Sequence, residues 1–518
     1  MNHPKVLVLG LDGAEPTSIR LWAETGVMPF VNELMHDGAS GVLRSTVPPY
    51  TPTAWTSIVT GVNPGRHGVF GFTRWTDDGR EVLVDSSVCR CKTVWDYLTD
   101  EGRPSIVVNV PVTYPPRAIH GVLVSGMGTP KDASLFASSP EWQARIEDIV
   151  PGYVPDVSVG DTVVTSERNA MATVDEIERA LRQRLTLTER LLTTEPWEFA
   201  MVVLEAPDRI QHLFWKTIAP GAPDSPEKQR LLTIYRELDE GMRRLVQAAE
   251  RTGPVVVVVV SDHGFQPLDW NLFINNHLIG NGLLSLKSGP SLARTARVLP
   301  TPVRRLAARV AGRAVSRRAV SAAEEIDWEN TSAFSGRVFE QGVYVRSDEA
   351  GYASSVSAVR AVLQEMPGPD GTPVVREILG RDDIYSGPRV GDAPDLFPLL
   401  DLPGVMMAGS LSHRGLWEAQ PGPFGTHHED GVIIAAGSGV TSTSELLADA
   451  QDVAPTLLRL LGGPLPAGLD GHAIDEVGGG PIGEVALAAE RDSVDPGGYT
   501  VQEEEEIVAH LQGLGYFE

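Results

Sequence analysis

The stretch Val255-Val256-Val257-Val258-Val259-Val260-Ser261-Asp262-His263-Gly264-Phe265 decides the fold. A run of valines this short cannot span a bilayer, and it is too uniformly apolar for a strand with one wet face. It predicts a strand buried on both faces, as in a parallel sheet covered by helices. An Asp-His pair follows directly. Burying a carboxyl beside an imidazole is costly unless each is paired or holds a cation. Asp262 and His263 are therefore candidate site residues, with a hydrogen-bonded structural pair as the alternative.

Lys5–Leu11 (KVLVLGL) repeats the pattern and ends in Asp12-Gly13. In open α/β sheets ligands gather beyond the carboxyl ends of the strands, where Asp12 is expected; its other available role is to cap the next helix. The pattern then predicts a helix over 16–35, a strand over 41–44, a helix over 95–101 and strands over 104–110 and 121–125. Asn109, near the end of one of these strands, is a candidate polar site residue, although a lone Asn also serves turns. A helix over 173–193, a strand over 199–204 and a helix over 229–252 continue the alternation. After the 199–204 strand comes Glu205-Ala206-Pro207-Asp208-Arg209-Ile210-Gln211-His212. Asp208 and His212 are one helical turn apart on one face, which suits chelation of a cation and equally an ordinary surface pair. A strand over 341–346 and a helix over 353–366 restore the α/β pattern. His427, in Gly425-Thr426-His427-His428, ends a loop long enough to fold back over the site before a strand over 432–436. The expected fold is α/β: a three-layer α/β/α sandwich around a mostly parallel sheet.

Thr51 lies where Pro49-Tyr50-Thr51-Pro52-Thr53-Ala54-Trp55 turns from loop to helix, with Gly61 as the expected stop. A hydroxyl at a helix N-terminus faces unsatisfied N–H groups and the positive end of the dipole, which favours an alkoxide nucleophile and an anion. The simpler role of N-cap is equally open to it.

The chain has 518 residues, enough for a large core with insertions, and a net charge of −25 from 43 basic and 68 acidic side chains. So acidic a surface argues against nucleic-acid polymers and anionic membranes as partners. A small phosphorylated substrate would need local positive charge, which bound metal supplies. Cys89 and Cys91 form neither a disulfide framework nor a zinc site, and they read as thiols of a reducing compartment. With no secretory signal in sight, the expected location is cytoplasmic. The domain reading is a catalytic core over 1–265, an inserted helical cap over 266–330, a second part of the core over 331–480 and a tail helix over 481–518. Residues 291–320 carry eight arginines and no acid. They fit a solvated cap paired with the acidic body, or else an anion-attracting lid.

Several motifs recur together: LGLDG (9–13), TPTAWTSIVTGVNPGRHGVF (51–70), PVTYPP (111–116), SGMGTP (125–130), DRIQHLFW (208–215), SDHGF (261–265), GTHHEDGVIIAAGSG (425–439), DVAPTLLRLLG (452–462) and LDGHAI (469–474). Their set and order resemble the alkaline phosphatase superfamily, and within it the type I phosphodiesterase/nucleotide pyrophosphatase branch, over nearly the whole chain. The resemblance implies two divalent cations, Zn²⁺ first and Mn²⁺ or Fe as alternatives. One would be held by Asp208, His212 and His427; the other by Asp12, Asp262 and His263, with the Thr51 oxygen as a further ligand. It implies Thr51 as nucleophile and cleavage of a phosphodiester or pyrophosphate bond in a nucleotide-type substrate; a phosphomonoesterase acting on a small metabolite is the alternative. The branch places an Asn after its His-Gly motif to hold a phosphate oxygen, and here that position is Phe72. Backbone N–H groups of the Thr51 helix, or Asn109, are the substitutes the sequence offers. The Thr-Pro-Thr-Ala-Trp run does not fit a sulfatase nucleophile motif, and the insertion follows Asp262/His263 rather than the nucleophile, unlike a cofactor-independent phosphoglycerate mutase. A metal-stabilised scaffold without activity is the rival from another class.

Overall fold

Strand β1 (Lys5–Leu11) lies inside an eight-stranded sheet. The other strands are β2 (Ala39–Arg44), β3 (Ser105–Val110), β4 (Gly121–Ser125), β5 (Phe199–Leu204), β6 (Val255–Val260), β9 (Asp430–Gly437) and β10 (Thr443–Asp449), the numbers 7 and 8 going to a short pair beside them, β7 (Gly264–Pro267) and β8 (Gly425–His428). The spatial order is β10-β2-β9-β6-β1-β5-β3-β4. Val6 sits opposite Phe199 on one side and Val256 on the other, in parallel register. Only β9 runs against its neighbours β2 and β6. The computed structural model describes the chain except residues 1–2, 77–80, 158–166, 288–324, 337–340, 412, 414, 464, 480–483, 486–489, 492–497, 501, 505 and 509–518.

Alternate residues of β1 serve opposite layers. Leu7, Leu9 and Leu11 share a core with buried residues of α1 (Pro16–Glu24), α2 (Pro29–Asp37), α4 (Glu167–Thr194), α5 (Ala206–Ile218) and α6 (Pro226–Glu250). Val6 and Val8 pack in a second core with α3 (Thr51–Thr60) and α7 (Val453–Leu460). That is the three-layer α/β/α sandwich expected from the valine-rich runs. All six valines of β6 are buried, and each contributes about 1.5–3 kcal/mol of hydrophobic stabilisation.

Where one helix is expected over 16–35, two form. Gly26 takes a left-handed φ of 78° and Pro29 opens α2, so the chain turns between them. Glu15 caps α1 by accepting from the N–H groups of Thr17 and Ser18 at 2.8 and 2.7 Å. Asp12 is thus not the cap.

The chain forms two compact units. The first contains residues 1–72, 83–266 and 423–514; the second contains 73–82, 267–422 and 515–518. The second has its own core around Leu272, Ile274, Leu363, Met366 and Leu396, and a small sheet in which Trp270–Phe273 pairs with Val405–Ala408 and Trp417–Ala419. Residues 331–422, read from their α/β pattern as core, belong to this second unit. Their strands pair locally, Val375–Gly380 with Leu396–Leu400 and Tyr344–Val345 with Ala333–Phe334, and not with the large sheet. The Arg-rich run 291–320 lies outside the described residues, as does most of the tail 481–518.

Candidate metal centre

β6, β1 and β5 are adjacent and parallel, so their carboxyl ends emerge side by side. Asp262 and His263 follow β6, Asp12 follows β1, and Asp208 lies in the first turn of α5 just beyond β5. β9 is antiparallel, so its start meets this same edge and brings His427, on β8 just before it. β8 pairs with β7, which begins immediately after His263. A Cβ on Gly264 would sit 2.1 Å from the Asp430 carbonyl oxygen, so only glycine lets these two segments close on each other.

Four of the five expected segments meet here through side chains on strands and helices, and α3 brings the fifth. Thr51 is the first helical residue of α3; Tyr50 holds the cap position and makes no side-chain cap bond. The Thr51 hydroxyl is not spent on capping. Its Oγ1 lies 3.2 Å from His263 Nε2, fully buried. Gly61 ends the helix with φ 71°, as the sequence predicts.

Oδ1 of Asp208 lies 3.2 Å from His212 Nε2, 3.5 Å from His427 Nε2 and 3.9 Å from His263 Nε2. His263 Nε2 is also 3.6 Å from Asp12 Oδ1 and 3.3 Å from Asp262 Oδ2. Two groups of donors converge within 4.8 Å: Asp208, His212 and His427; and Asp12, Asp208 and His263. Asp208 is common to both, a sharing that sequence order does not reveal. Asp262 stands beside the second group rather than in it. Its Oδ1 accepts the N–H of Gly13 at 3.2 Å, which leaves Oδ2 toward His263.

Each imidazole is turned the same way. Nδ1 of His263 meets the Gly264 carbonyl at 3.0 Å, Nδ1 of His427 the Pro49 carbonyl at 2.9 Å, and Nδ1 of His212 the Gly425 carbonyl at 3.3 Å. A carbonyl only accepts, so the proton belongs on Nδ1 and the Nε2 lone pair points inward. Burial holds His263 well below the usual imidazole range and lowers His427, so both are neutral at neutral pH. Burial pushes the Asp12 and Asp262 carboxyls well above the carboxylate range, and neighbouring carboxylates add to it, Asp262 and Asp208 for Asp12 and Asp208 for Asp262. Burial opposes ionisation of Asp208 too, but His212, foremost among its neighbours, holds it well below the carboxylate range.

Three fully buried carboxylates face three imidazole nitrogens, and Asp12 Oδ1 and Asp262 Oδ2 accept no hydrogen bond. Ionising such orphaned buried carboxyls is strongly unfavourable without counter-charge. Mixed carboxylate and imidazole donors in that setting suit a borderline divalent cation, and the residues fit one.

Asn109 is not part of the centre. It is fully buried with φ 58°, its amide nitrogen donates to the Pro155 carbonyl and its oxygen accepts from the Tyr153 hydroxyl. Its side chain is thus bonded at both ends to this neighbouring loop. Other residues of the centre are missed by sequence reasoning. Trp55 Nε1 donates to Asp12 Oδ2 at 2.9 Å. Ser261 Oγ accepts from Ala14 N at 2.8 Å and donates to the His263 carbonyl at 2.7 Å, tying β1 to β6 at the site. Arg209 reaches Asp208 Oδ2 at 3.7 Å. The motif around Trp55 hinted at it; the carbonyls that orient the imidazoles leave no trace in side-chain identity.

The sequence profile described as type I phosphodiesterase / nucleotide pyrophosphatase matches residues 6–350. Phosphonoacetate hydrolase from Sinorhizobium meliloti 1021, solved in complex with phosphonoformate, is 17% identical over 89% of this chain and 95% of its own, with a TM-score of 0.56. The same hydrolase in complex with phosphonoacetate gives 16% identity over 89% and 95% of the two chains and a TM-score of 0.56. Murine ectonucleotide pyrophosphatase / phosphodiesterase 5 is 13% identical over 88% and 95%, with a TM-score of 0.47. A comparison with curated proteins finds no match. On the profile match across most of its length, the chain belongs to the type I phosphodiesterase / nucleotide pyrophosphatase family, within the alkaline phosphatase superfamily.

Proposed function

We propose that this protein is a metal-dependent phosphohydrolase that cleaves a phosphodiester or pyrophosphate bond by way of a phospho-threonine at Thr51. The observation that carries the reading is the buried Thr51 hydroxyl, at the start of α3 and 3.2 Å from His263 Nε2, among the convergent carboxylates and imidazoles. Asp208, His212 and His427 would hold one divalent cation, and Asp12, Asp262, His263 and the Thr51 oxygen a second, most simply Zn²⁺, with Mn²⁺ or Fe as alternatives. Asp208 Oδ1, close to all three imidazoles, would touch both positions. Cations bound there supply Lewis acidity, lowering the pKa of a hydroxyl and neutralising charge on the reacting oxygens.

The chain's own residues do the rest. α3 presents its first N–H groups and the positive end of its dipole to the incoming phosphoryl group. Thr51 gives up its hydroxyl proton to solvent water, Oγ attacks phosphorus, a new O–P bond forms, and the ester oxygen departs with its electron pair and takes up a proton from water. Water then displaces the threonine from phosphorus, and Thr51 regains its proton. The contacts of Nδ1 with backbone carbonyls would hold the three rings with Nε2 turned toward a bound cation.

The protein has two buried free thiols, Cys89 and Cys91, which supports the cytoplasmic location expected from its sequence. Among the described residues no helix is long and apolar enough to cross a membrane.

The test is a paired assay of metal-loaded protein on p-nitrophenyl phosphate and a p-nitrophenyl nucleotide diester, with a chelator control. Preference for the diester, abolished by chelation and by Thr51→Ala, is the expected result. Preference for the monoester would replace it with a phosphomonoesterase using the same nucleophile. No turnover of either would refute the reading.

A further inference from the structure

The residue after Asp208 in the first turn of α5 is an arginine, and it is as buried as its neighbour. The Arg209 guanidinium stands between two carboxylates. Its Nη1 is 3.7 Å from Asp208 Oδ2, and its Nη2 is 3.5 Å from Asp156 Oδ1. None of the three side chains is more than 3% exposed. The two oxygens of Asp208 are therefore divided. Oδ1 faces the Nε2 atoms of His212, His263 and His427, and Oδ2 faces a cation that belongs to the protein itself. A carboxylate that turns about its last bond exchanges its two oxygens. A guanidinium beside one of them sets which oxygen is offered to which side.

Arg209 is in turn held by a loop that is fastened from several sides. Asp156 Oδ2 accepts the N–H of Gly128 at 3.0 Å, in the SGMGTP turn that follows β4. One residue earlier, the Pro155 carbonyl accepts from Arg184 Nη2 at 3.0 Å and from the amide of Asn109. Arg184, on α4, is itself buried and paired with Glu205 at 2.7 Å. The Tyr153 hydroxyl donates to the other end of the Asn109 side chain. β3, α4 and the turn after β4 thus fix the place of Asp156. Buried ion pairs are a weak source of net stability, because desolvation offsets their attraction; what such an array can supply is a fixed geometry.

We propose that Arg209, held by Asp156, is a positioning residue of the metal centre: it turns Asp208 so that a single oxygen, Oδ1, serves both cation positions. The proposal rests on the reading of Asp208 as a ligand, and it adds what sets the orientation of that ligand. Because Oδ1 belongs to both donor groups, releasing Oδ2 from Arg209 disturbs both positions at once. Asn109 and the Gly128 turn then serve the centre at one remove, through the loop that carries Asp156.

Metal binding tests this without turnover. Zinc affinity of the full-length chain is measured by competition with a chromogenic chelator, and the visible spectrum of the cobalt-loaded protein reports the geometry around the ions. Arg209→Met removes the guanidinium. Asp156→Asn leaves Arg209 in place, touches no ligand and takes away the charge that holds it. Arg209→Lys keeps the charge on a single nitrogen. Arg209→Met is expected to weaken both zinc positions together by about 10–100-fold and to shift the cobalt bands. Asp156→Asn should act in the same direction to a smaller extent, and it carries the test if Arg209→Met does not fold. Arg209→Lys should recover part of the lost affinity. A role confined to folding would lower the thermal midpoint and leave the cobalt spectrum of the saturated protein unchanged. That result, or weakening of one zinc position alone, would overturn the proposal. Asp208→Asn separates the two levels of the reading. If it loses zinc while the Arg209 and Asp156 variants lose none, Asp208 remains a ligand and only the proposal fails. If Asp208→Asn binds zinc as tightly as the unaltered protein, the ligand reading fails first.

Discussion

Thr51 Oγ1 and His263 Nε2 lie 3.2 Å apart although 212 residues separate them in the chain. The contact joins the start of a helix in one outer layer to the end of the most apolar strand in the sheet. It gives a hydroxyl in a dry site a neutral nitrogen as neighbour, and it places that hydroxyl against the carboxylate cluster.

Thr51→Ala is expected to lower kcat by at least about 10³-fold, because the covalent route is lost and only positioning remains. Zinc stoichiometry and the thermal midpoint should change little, since the side chain makes no cap bond in α3. Thr51→Ser should recover most of the rate. Residual activity of Thr51→Ala within tenfold of the unaltered protein would point to direct attack by water.

Removal of metal is expected to destabilise the fold. Asp12, Asp208 and Asp262 are fully buried, and cations that bind only the native state stabilise it by about 4 kcal/mol at a thousand times Kd. Calorimetry with and without chelator should show a fall of several degrees. Asp262→Asn is expected to act with opposite signs in the two states. It relieves carboxylate repulsion without metal, raising the midpoint, and weakens the metal-loaded protein. A variant that shifts both midpoints the same way would contradict the assignment of Asp262 to the charged cluster.

Trp55→Phe removes the 2.9 Å hydrogen bond to Asp12 Oδ2 while keeping an aromatic ring in the core. The loss of an orienting partner typically costs about 10–100-fold in metal affinity, and that range is expected here by competition with a chromogenic chelator. Gly10→Ala probes the same ring sterically, since its Cβ would fall 2.6 Å from Trp55 Cη2 and 3.0 Å from Val203 Cγ2. Overpacking of this kind costs about 1–3 kcal/mol, readable by urea unfolding.

His67 provides a pH test away from the metal ligands. Its Nε2 is 3.0 Å from Ser57 Oγ, its Nδ1 accepts from Val69 N at 3.1 Å, and burial lowers its pKa to about 3. In the unfolded chain the imidazole takes up a proton near pH 6.5, about the ordinary value. Between those limits the unfolded state binds more protons, so stability falls as pH drops from about 6.5 to about 3, by at most about 1.4 kcal/mol per pH unit from this group. His67→Gln should be less stable at pH 7 and show a shallower decline below pH 6. Parallel stability–pH curves for the two proteins would show that His67 does not titrate in this window.

The sequence by itself determined the sandwich and most of the centre. Valine-rich runs buried on both faces admit little other than a covered parallel sheet, and side chains placed just beyond such strands must collect at one edge because the strands are parallel and adjacent. Asp12, Asp208, His212, Asp262 and His263 converge for that reason, whereas His427 arrives ahead of antiparallel β9 and Thr51 on helix α3. Only the tertiary structure decided the rest. Asn109 has the same identity whether it meets a ligand or a neighbouring loop, and here Pro155 and Tyr153 claim it. Residues 331–422 alternate like core, yet hydrogen bonding between their own strands makes them a separate unit, and pairing partners are a long-range property that periodicity does not encode. Asp208 serves both donor groups, and three carbonyls fix three imidazoles, because distances between segments hundreds of residues apart are set by packing. Backbone atoms, common to every residue, write nothing of this into the sequence.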